Sequence, residues 1–329
     1  MDPVTHTLVG AALGEAGLKR RSALGMATLM IGANLPDIDI VSLAWGSETA
    51  LWFRRGITHG LPAVVLLPLL LTAVMVLWDR LARHTVGAEH LPAVRPAQVL
   101  LLAFLAVLSH PLLDSLNVYG MRWLMPFSGS WFYGDTLFIA DPWVWVTLGT
   151  GVYLARRRNK EELPRPVRGS RPAALALMVV AVYVALMAGS NLAARSVIRR
   201  TAADQGIHLS KLMVAPLPIN PFVRRVVLED ETSYRIGRFN WLSSPNMRLD
   251  DSSLPNYPPD PQAAAATRGP RPRKFLTWAR FPFFVVVNDA AGATVRIGDA
   301  RYTTDAAGSW AVTVVRVATM GGRGRGRDN

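Results

Sequence analysis

"LPAVVLLPLLLTAVMVLW", residues 61–78, is an almost unbroken apolar run that meets its first charge only at Asp79. A bilayer core takes about 20 helical residues to cross, so this stretch reads as a membrane span. By the same criterion 97–113, 137–155 and 173–191 read as three more, giving about four transmembrane helices. Half of the 329 residues are apolar and the mean hydropathy is positive. Clustered in this way, they indicate an integral membrane protein rather than one large soluble core.

Upstream lie two shorter apolar stretches, 4–18 and 22–33, split by Lys19, Arg20 and Arg21. As helices they would reach only ~23 and ~18 Å. They read as a short hairpin dipping into the membrane, the alternative being a helical pair lying on its surface. Asp2 and Glu15, and the lack of early positive charge, argue against a cleavable signal peptide.

The chain has no cysteine, which excludes disulfides and thiolate metal sites. The net charge of +13 would suit nucleic acid, but its location points elsewhere. Arg156, Arg157, Arg158, Lys160, Arg165, Arg168 and Arg171 crowd one loop between spans, and Lys19–Arg21, Arg80, Arg83 and Arg95 fall on the same side. The opposite side carries only Arg54, Arg55 and Arg122. The positive-inside rule puts the first set in the cytoplasm of a bacterial cell and leaves the segment after about residue 192 outside. No nucleic-acid partner is expected; the bilayer is.

Beyond that point the composition changes. Segments 223–230, 234–241, 275–287, 293–302 and 309–317 are rich in β-branched and aromatic residues, with turn residues between them. That is the pattern of a small antiparallel β domain, interrupted by a Pro- and Ala-rich loop over 253–273. The expected organisation is a helical membrane domain (1–192), an extracytoplasmic β-rich domain (193–320) and a disordered basic tail (321–329).

The polar residues of the membrane half fall on one side of this topology. Asp2 and His6 start the first short helix, and Asp37 and Asp39 follow the second. His59 precedes the span at 61–78, and His110 with Asp114 ends the next. Spacing of four residues puts His110 and Asp114 on one helix face, provided Pro111 leaves the turn intact. Carboxylates beside hydrocarbon are costly and mark functional sites. Histidines and aspartates together suit Zn²⁺, and also Mn²⁺ or Fe²⁺, as one or two ions. His6, Asp37, Asp39, His59, His110 and Asp114 are the expected ligands, with Asp135 and Asp141 as further candidates. Asn117 and Gly120 read as a helix end.

Four motifs, "DPVTHTLVGAALG", "GANLPDID", "RRGITHG" and "HPLLDSLNVYGMRWLMPF", resemble in order those of the YdjM-type membrane-bound metal-dependent hydrolases. The likeness covers about residues 1–143, and 216–237 also resembles that family's C-terminal part. It implies a metal site at these His and Asp residues. One departure stands out: Arg54 replaces a histidine common in the family. A more distant likeness, to zinc-dependent phospholipases C, implies one ion held by Asp37 or Asp39, His59, His110 and Asp114. A second ion would use His6, with Asp114 bridging. The later His and His-x-x-x-Glu of those enzymes have no counterpart here.

The resulting expectation is a hydrolase in which metal-activated water attacks an ester or phosphoester, of a lipid or lipid-linked molecule, at the outer interface. Asp37 or Asp39, whichever is not a ligand, would be general base. Arg54, Arg55 or Arg122 would hold an anionic oxygen. The alternative is a non-enzymatic protein whose metal is structural and whose β domain binds a partner.

Overall fold

A computed structural model describes residues 1–86, 94–161, 170–258, 261–289, 292–305 and 311–318. The expected basic tail, 321–329, and Arg165 and Arg168 lie outside these.

The chain opens with α1, Pro3–Glu15. The Asp2 side chain caps it by accepting from the Val4 and Thr5 N–H groups, and Pro3 supplies a preset first turn. A 3-10 turn at Leu18–Arg21 leads to α2, Gly25–Gly32. The two pack backbone to backbone: a Cβ on Gly10 would fall 2.6 Å from the Leu29 carbonyl oxygen. A 3-10 stretch, Leu35–Trp45, and the short α3, Ser47–Phe53, follow. The long helices come next: α4 (Leu61–Val86), α5 (Pro96–Asp114), α6 (Pro142–Glu161) and α7 (Arg171–Asp204).

Three of these helices, α4, α5 and α7, are long and apolar enough to cross a membrane. Counting the bent pair formed by α2 and the Leu35–Trp45 stretch, broken by 43°, as one span gives a fourth. The expected span at 137–155 is helical only from Pro142, and α6 falls short of the others in apolarity. Its Val144, Leu148 and Val152 are covered instead by Val9 and Ala12 of α1 and Val180 of α7.

Among the described residues, seven strands form two antiparallel sheets. The first, in order β1-β2-β3-β4, comprises Lys211–Pro216, Val223–Glu229, Ser233–Asn240 and Met247–Pro255. The second, β5-β6-β7, comprises Pro282–Asp289, Gly292–Asp299 and Val312–Ala318. Two short helices, α8 (Pro261–Ala266) and α9 (Pro270–Trp278), precede the second sheet.

Side-chain alternation explains the layering. Leu212, Val214, Val226 and Leu228 pack on Ala194, Ile198 and Ala202 of α7. Met213, Ala215 and Val227, one residue out of phase, pack on Phe281 and Phe283 of the second sheet. That sheet's far face, with Val295 and Ile297, covers α8, α9 and two residues of the helical half, Leu51 and Tyr119.

Three local expectations are corrected. The loop expected at 253–273 holds α8 and the start of α9, which takes over the front of the strand expected at 275–287. Alanine has the best helix propensity and proline suits a first turn, so PQAAAA and PRPRKFLTW start helices. α5 ends at Asp114, capped at Ser115, so Asn117 and Gly120 lie beyond it. No break occurs at residue 192, because α7 runs through to Asp204.

Candidate metal centre

The loop after α3 sets up the site. Arg55 takes a left-handed φ of 54°, uncommon for a side chain of its size. Its N–H thereby donates to Asp39 Oδ2 at 2.8 Å. Thr58 Oγ1 donates to the same oxygen at 3.0 Å, and His59 Nδ1 lies 3.3 Å from it. Asp39 thus fixes both the loop and the ring of His59.

The α5 helix continues through Pro111, so His110 and Asp114 stay on one face. His110 Nδ1 donates to the Ala33 carbonyl at 2.7 Å. A carbonyl can only accept, so the proton sits on Nδ1 and the Nε2 lone pair is free. For His59 the tautomer decides: with Thr58 donating to Asp39, Nδ1 donates and Nε2 keeps its lone pair. The two Nε2 atoms face one another at 3.1 Å, and Asp114 Oδ2 lies 3.5 and 3.6 Å from them.

In that tautomer the two buried lone pairs, with a carboxylate oxygen beside them, could hold a cation. Ligand atoms ~2.0–2.1 Å from a tetrahedral zinc are separated by ~3.3 Å, which the three spacings match. The donor set of two imidazoles and a carboxylate also fits. Both Nδ1 atoms are held by acceptors, the supporting arrangement that metal-binding histidines need.

A second group, His6, Asp37 and His110, also brings ligand atoms within 4.8 Å of one another. Neither ring nitrogen of His6 has a hydrogen-bond partner, although the ring is fully buried and stacks on His110 at 3.7 Å. His6 Nε2 is 3.4 Å from Asp114 Oδ1, the oxygen that also meets the Met1 amino group. His110 has one free nitrogen and can serve one ion only. A second ion would therefore rest on His6, Asp37 and Asp114.

All six expected ligands thus converge, though not in equal roles. Asp39 acts on His59 from behind. Arg55 is buried with its donors committed: Nε to Asp114 at 3.0 Å, Nη1 to Asn117 Oδ1 at 2.9 Å and to the Gly120 carbonyl at 3.2 Å. The Tyr119 ring lies 4.5 Å from its guanidinium. Arg54, by contrast, is part-exposed and reaches Asp37 at 3.3 Å and Asp39 at 3.4 Å. The departure from the family's usual histidine therefore falls at the mouth of the site. Burial lowers the pKa of His59 against the opposing pull of Asp39, keeping the ring neutral and able to ligate.

Three acidic candidates are not in the cluster. Asp2 is the cap of α1. Asp141 accepts from the Trp143 and Val144 N–H groups at the start of α6 and from Tyr183. Asp135 is buried in ion pairs with Arg195 of α7 and Arg280 of the β domain. Arg122 is turned to the Trp52, Phe53 and Arg54 carbonyls. Sequence reading missed Thr58, although its place beside His59 was a signal. The Ala33 carbonyl, a backbone group, left no signal at all.

The comparisons bear on the family of the chain. A family model described as YdjM inner membrane protein matches residues 1–194, which contain every residue of the cluster. The uncharacterized protein YfhP of Bacillus subtilis (strain 168) is 28% identical over 156 residues, 45% of this chain and 44% of that protein. The match thus spans less than half of the relative's length. No solved structure matches. With more than half of its length matched by that one model, the chain belongs to the YdjM inner membrane protein family.

Proposed function

We propose that the protein is a membrane-bound, metal-dependent hydrolase of esters or phosphoesters, with its site at the outer face of a bacterial cytoplasmic membrane. The observation that carries this reading is the facing pair of Nε2 atoms, His59 and His110, with Asp114 Oδ2 beside them. Held there, a divalent ion such as Zn²⁺ would supply Lewis acidity and lower the pKa of water toward neutrality.

The chain's own residues divide the remaining work. Asp39 has its lone pairs engaged by Arg55, Thr58 and His59, so it orients rather than reacts. Asp37, part-exposed, 3.8 Å from both Nε2 atoms and paired with Arg54 at 3.3 Å, would take the proton as general base. Arg55 holds Asp114 in place from the protein side. Arg54 is the guanidinium placed to meet an anionic oxygen of the substrate.

A second reading follows from burial: His6, His59, His110 and Asp114 are all 0% exposed and come from three separate segments. An ion joining them would staple α1 to α5 whatever else it did, and the β domain would then serve a partner. Metal analysis of the detergent-purified protein, alongside hydrolysis of chromogenic phosphodiester, phosphomonoester and carboxyl ester substrates, separates the two. The hydrolase reading expects metal in the wild type, none in His110→Ala or Asp114→Ala, and turnover of at least one substrate. Asp37→Asn should keep an ion and lose turnover about 10²–10⁴-fold. Metal without turnover would favour the staple. A wild type that takes up no metal on reconstitution would sink both.

A further inference from the structure

Of the six candidate ligands, only Asp37 shows appreciable surface: its side chain is 15% exposed, and that of its neighbour Arg54 is 28% exposed. These two residues form the polar end of a groove of about 590 Å³. The rest of the lining is mainly apolar, including Met30, Ile31, Leu35, Ile38 and Ile40.

The groove opens on an apolar surface. Its walls are α2 and the Leu35–Trp45 stretch, the bent pair apolar enough to lie in a membrane. Ile31, Ile38 and Ile40 are about half exposed, and the same outer face continues through Val41, Leu43 and Trp45. The inner face of this stretch carries Pro36, Asp39 and Ser42, all buried. Large aliphatic groups on one face, with a tryptophan at the end, are the signature of an element lying against lipid at the headgroup boundary. A lipid on that face would reach the cluster sideways.

Arg54 specifies the headgroup. Its two contacts with Asp37 and Asp39 are long, at 3.3 and 3.4 Å. A guanidinium fork is matched to phosphate oxygens.

We infer that the groove is the seat of one hydrocarbon chain of a phosphate-headed membrane lipid, which enters laterally and presents its phosphate to Arg54 and the cluster. This rests on the hydrolase reading for its chemistry, since it names the substrate class, but the groove can be tested by binding alone.

The test uses the full-length protein in phosphatidylcholine vesicles containing a minor fraction of phosphatidic acid with a diazirine in its acyl chain. Photolabelling should map to residues 30–40. Long-chain phosphatidic acid should compete it away, and a short-chain analogue should not. Ile38→Trp and Ile31→Trp, which fill the groove, should each cut labelling about tenfold, equivalent to about 1.4 kcal/mol of lost affinity. Arg54→Gln should cut labelling by the phosphatidic acid probe more than by a diacylglycerol probe. Labelling spread evenly over the lipid-facing helices, or equal competition by short and long chains, would overturn the inference. If residues 30–40 are labelled yet no phosphoester is hydrolysed, the hydrolase reading alone fails. If a water-soluble phosphoester is hydrolysed while labelling ignores the groove, the lipid inference alone fails.

Discussion

His59 and His110 bring their Nε2 atoms to 3.1 Å from each other, fully buried, while His110 Nδ1 meets the Ala33 carbonyl and His59 Nδ1 lies 3.3 Å from Asp39 Oδ2. With both rings protonated on Nδ1, no proton joins the two Nε2 atoms without charging a ring, and burial resists that charge at His59. A bound cation would fill that place.

Removing the supports should therefore weaken the ion without deleting a ligand. Asp39→Asn keeps the shape of the side chain but loses the carboxylate behind His59. Loss of such an outer partner costs ~10–100-fold in metal affinity, measurable by chelator competition. His110→Ala should remove the ion altogether, with metal analysis as the check.

Acid should destabilise the metal-free protein. The pKa of His59 is lowered in the fold by burial, whereas the unfolded chain titrates near the ordinary value of about 6.5. Below that pH the unfolded state binds a proton that the folded state refuses. The contribution is thus complete above about pH 6.5 and is lost as pH falls. Thermal melts across this range should show the slope, and His59→Gln should flatten it. Metal loading should decline in the same direction, because protons compete for Nε2.

Arg301 ties the β domain to the segment after α5. It donates to the Val118 and Tyr119 carbonyls at 3.1 Å and to the Trp278 carbonyl at 3.0 Å, while pairing with buried Asp299 at 2.8 Å. Arg301→Met would strand Asp299 and should cost about 3–5 kcal/mol, seen as a lower melting temperature. Because Tyr119 lies against both Arg55 and Trp278, chelator competition should also show weaker metal retention.

Orientation can be read directly because the chain has no cysteine. Asp251→Cys, on the exposed part of β4, should react with a membrane-impermeant maleimide in intact spheroplasts, and Arg158→Cys, at the far end of α6, only after lysis. The reverse pattern would invert the topology.

The helical half was legible because α4, α5 and α7 are long apolar runs, and because His6, Asp37, Asp39, His59, His110 and Asp114 stand out in apolar surroundings. α6 was harder, since it is covered by protein rather than by hydrocarbon alone. β1 was missed because LMVA is buried on both faces and shows no alternation. β4, with mostly exposed side chains, had no apolar pattern to read. The division of labour between Arg54 and Arg55 was not legible either. It depends on a positive φ and on where Asn117 and Gly120 lie in space, and neighbours in sequence carry no mark of that.

The 34 residues of α7 make a rod of about 51 Å, against a hydrocarbon core of about 30 Å. Near the exit, Asn191 reaches the Asp135 and Val214 carbonyls and Arg195 pairs with the Asp135 carboxylate. A flexible linker would tolerate changes of length, but this rod does not have that freedom. One residue inserted between Asn191 and Asp204 would turn everything beyond it by about 100°, carrying the first sheet away from its seat. Across related chains, this stretch should accumulate substitutions freely on its exposed side while keeping its length constant, as gears keep their tooth count.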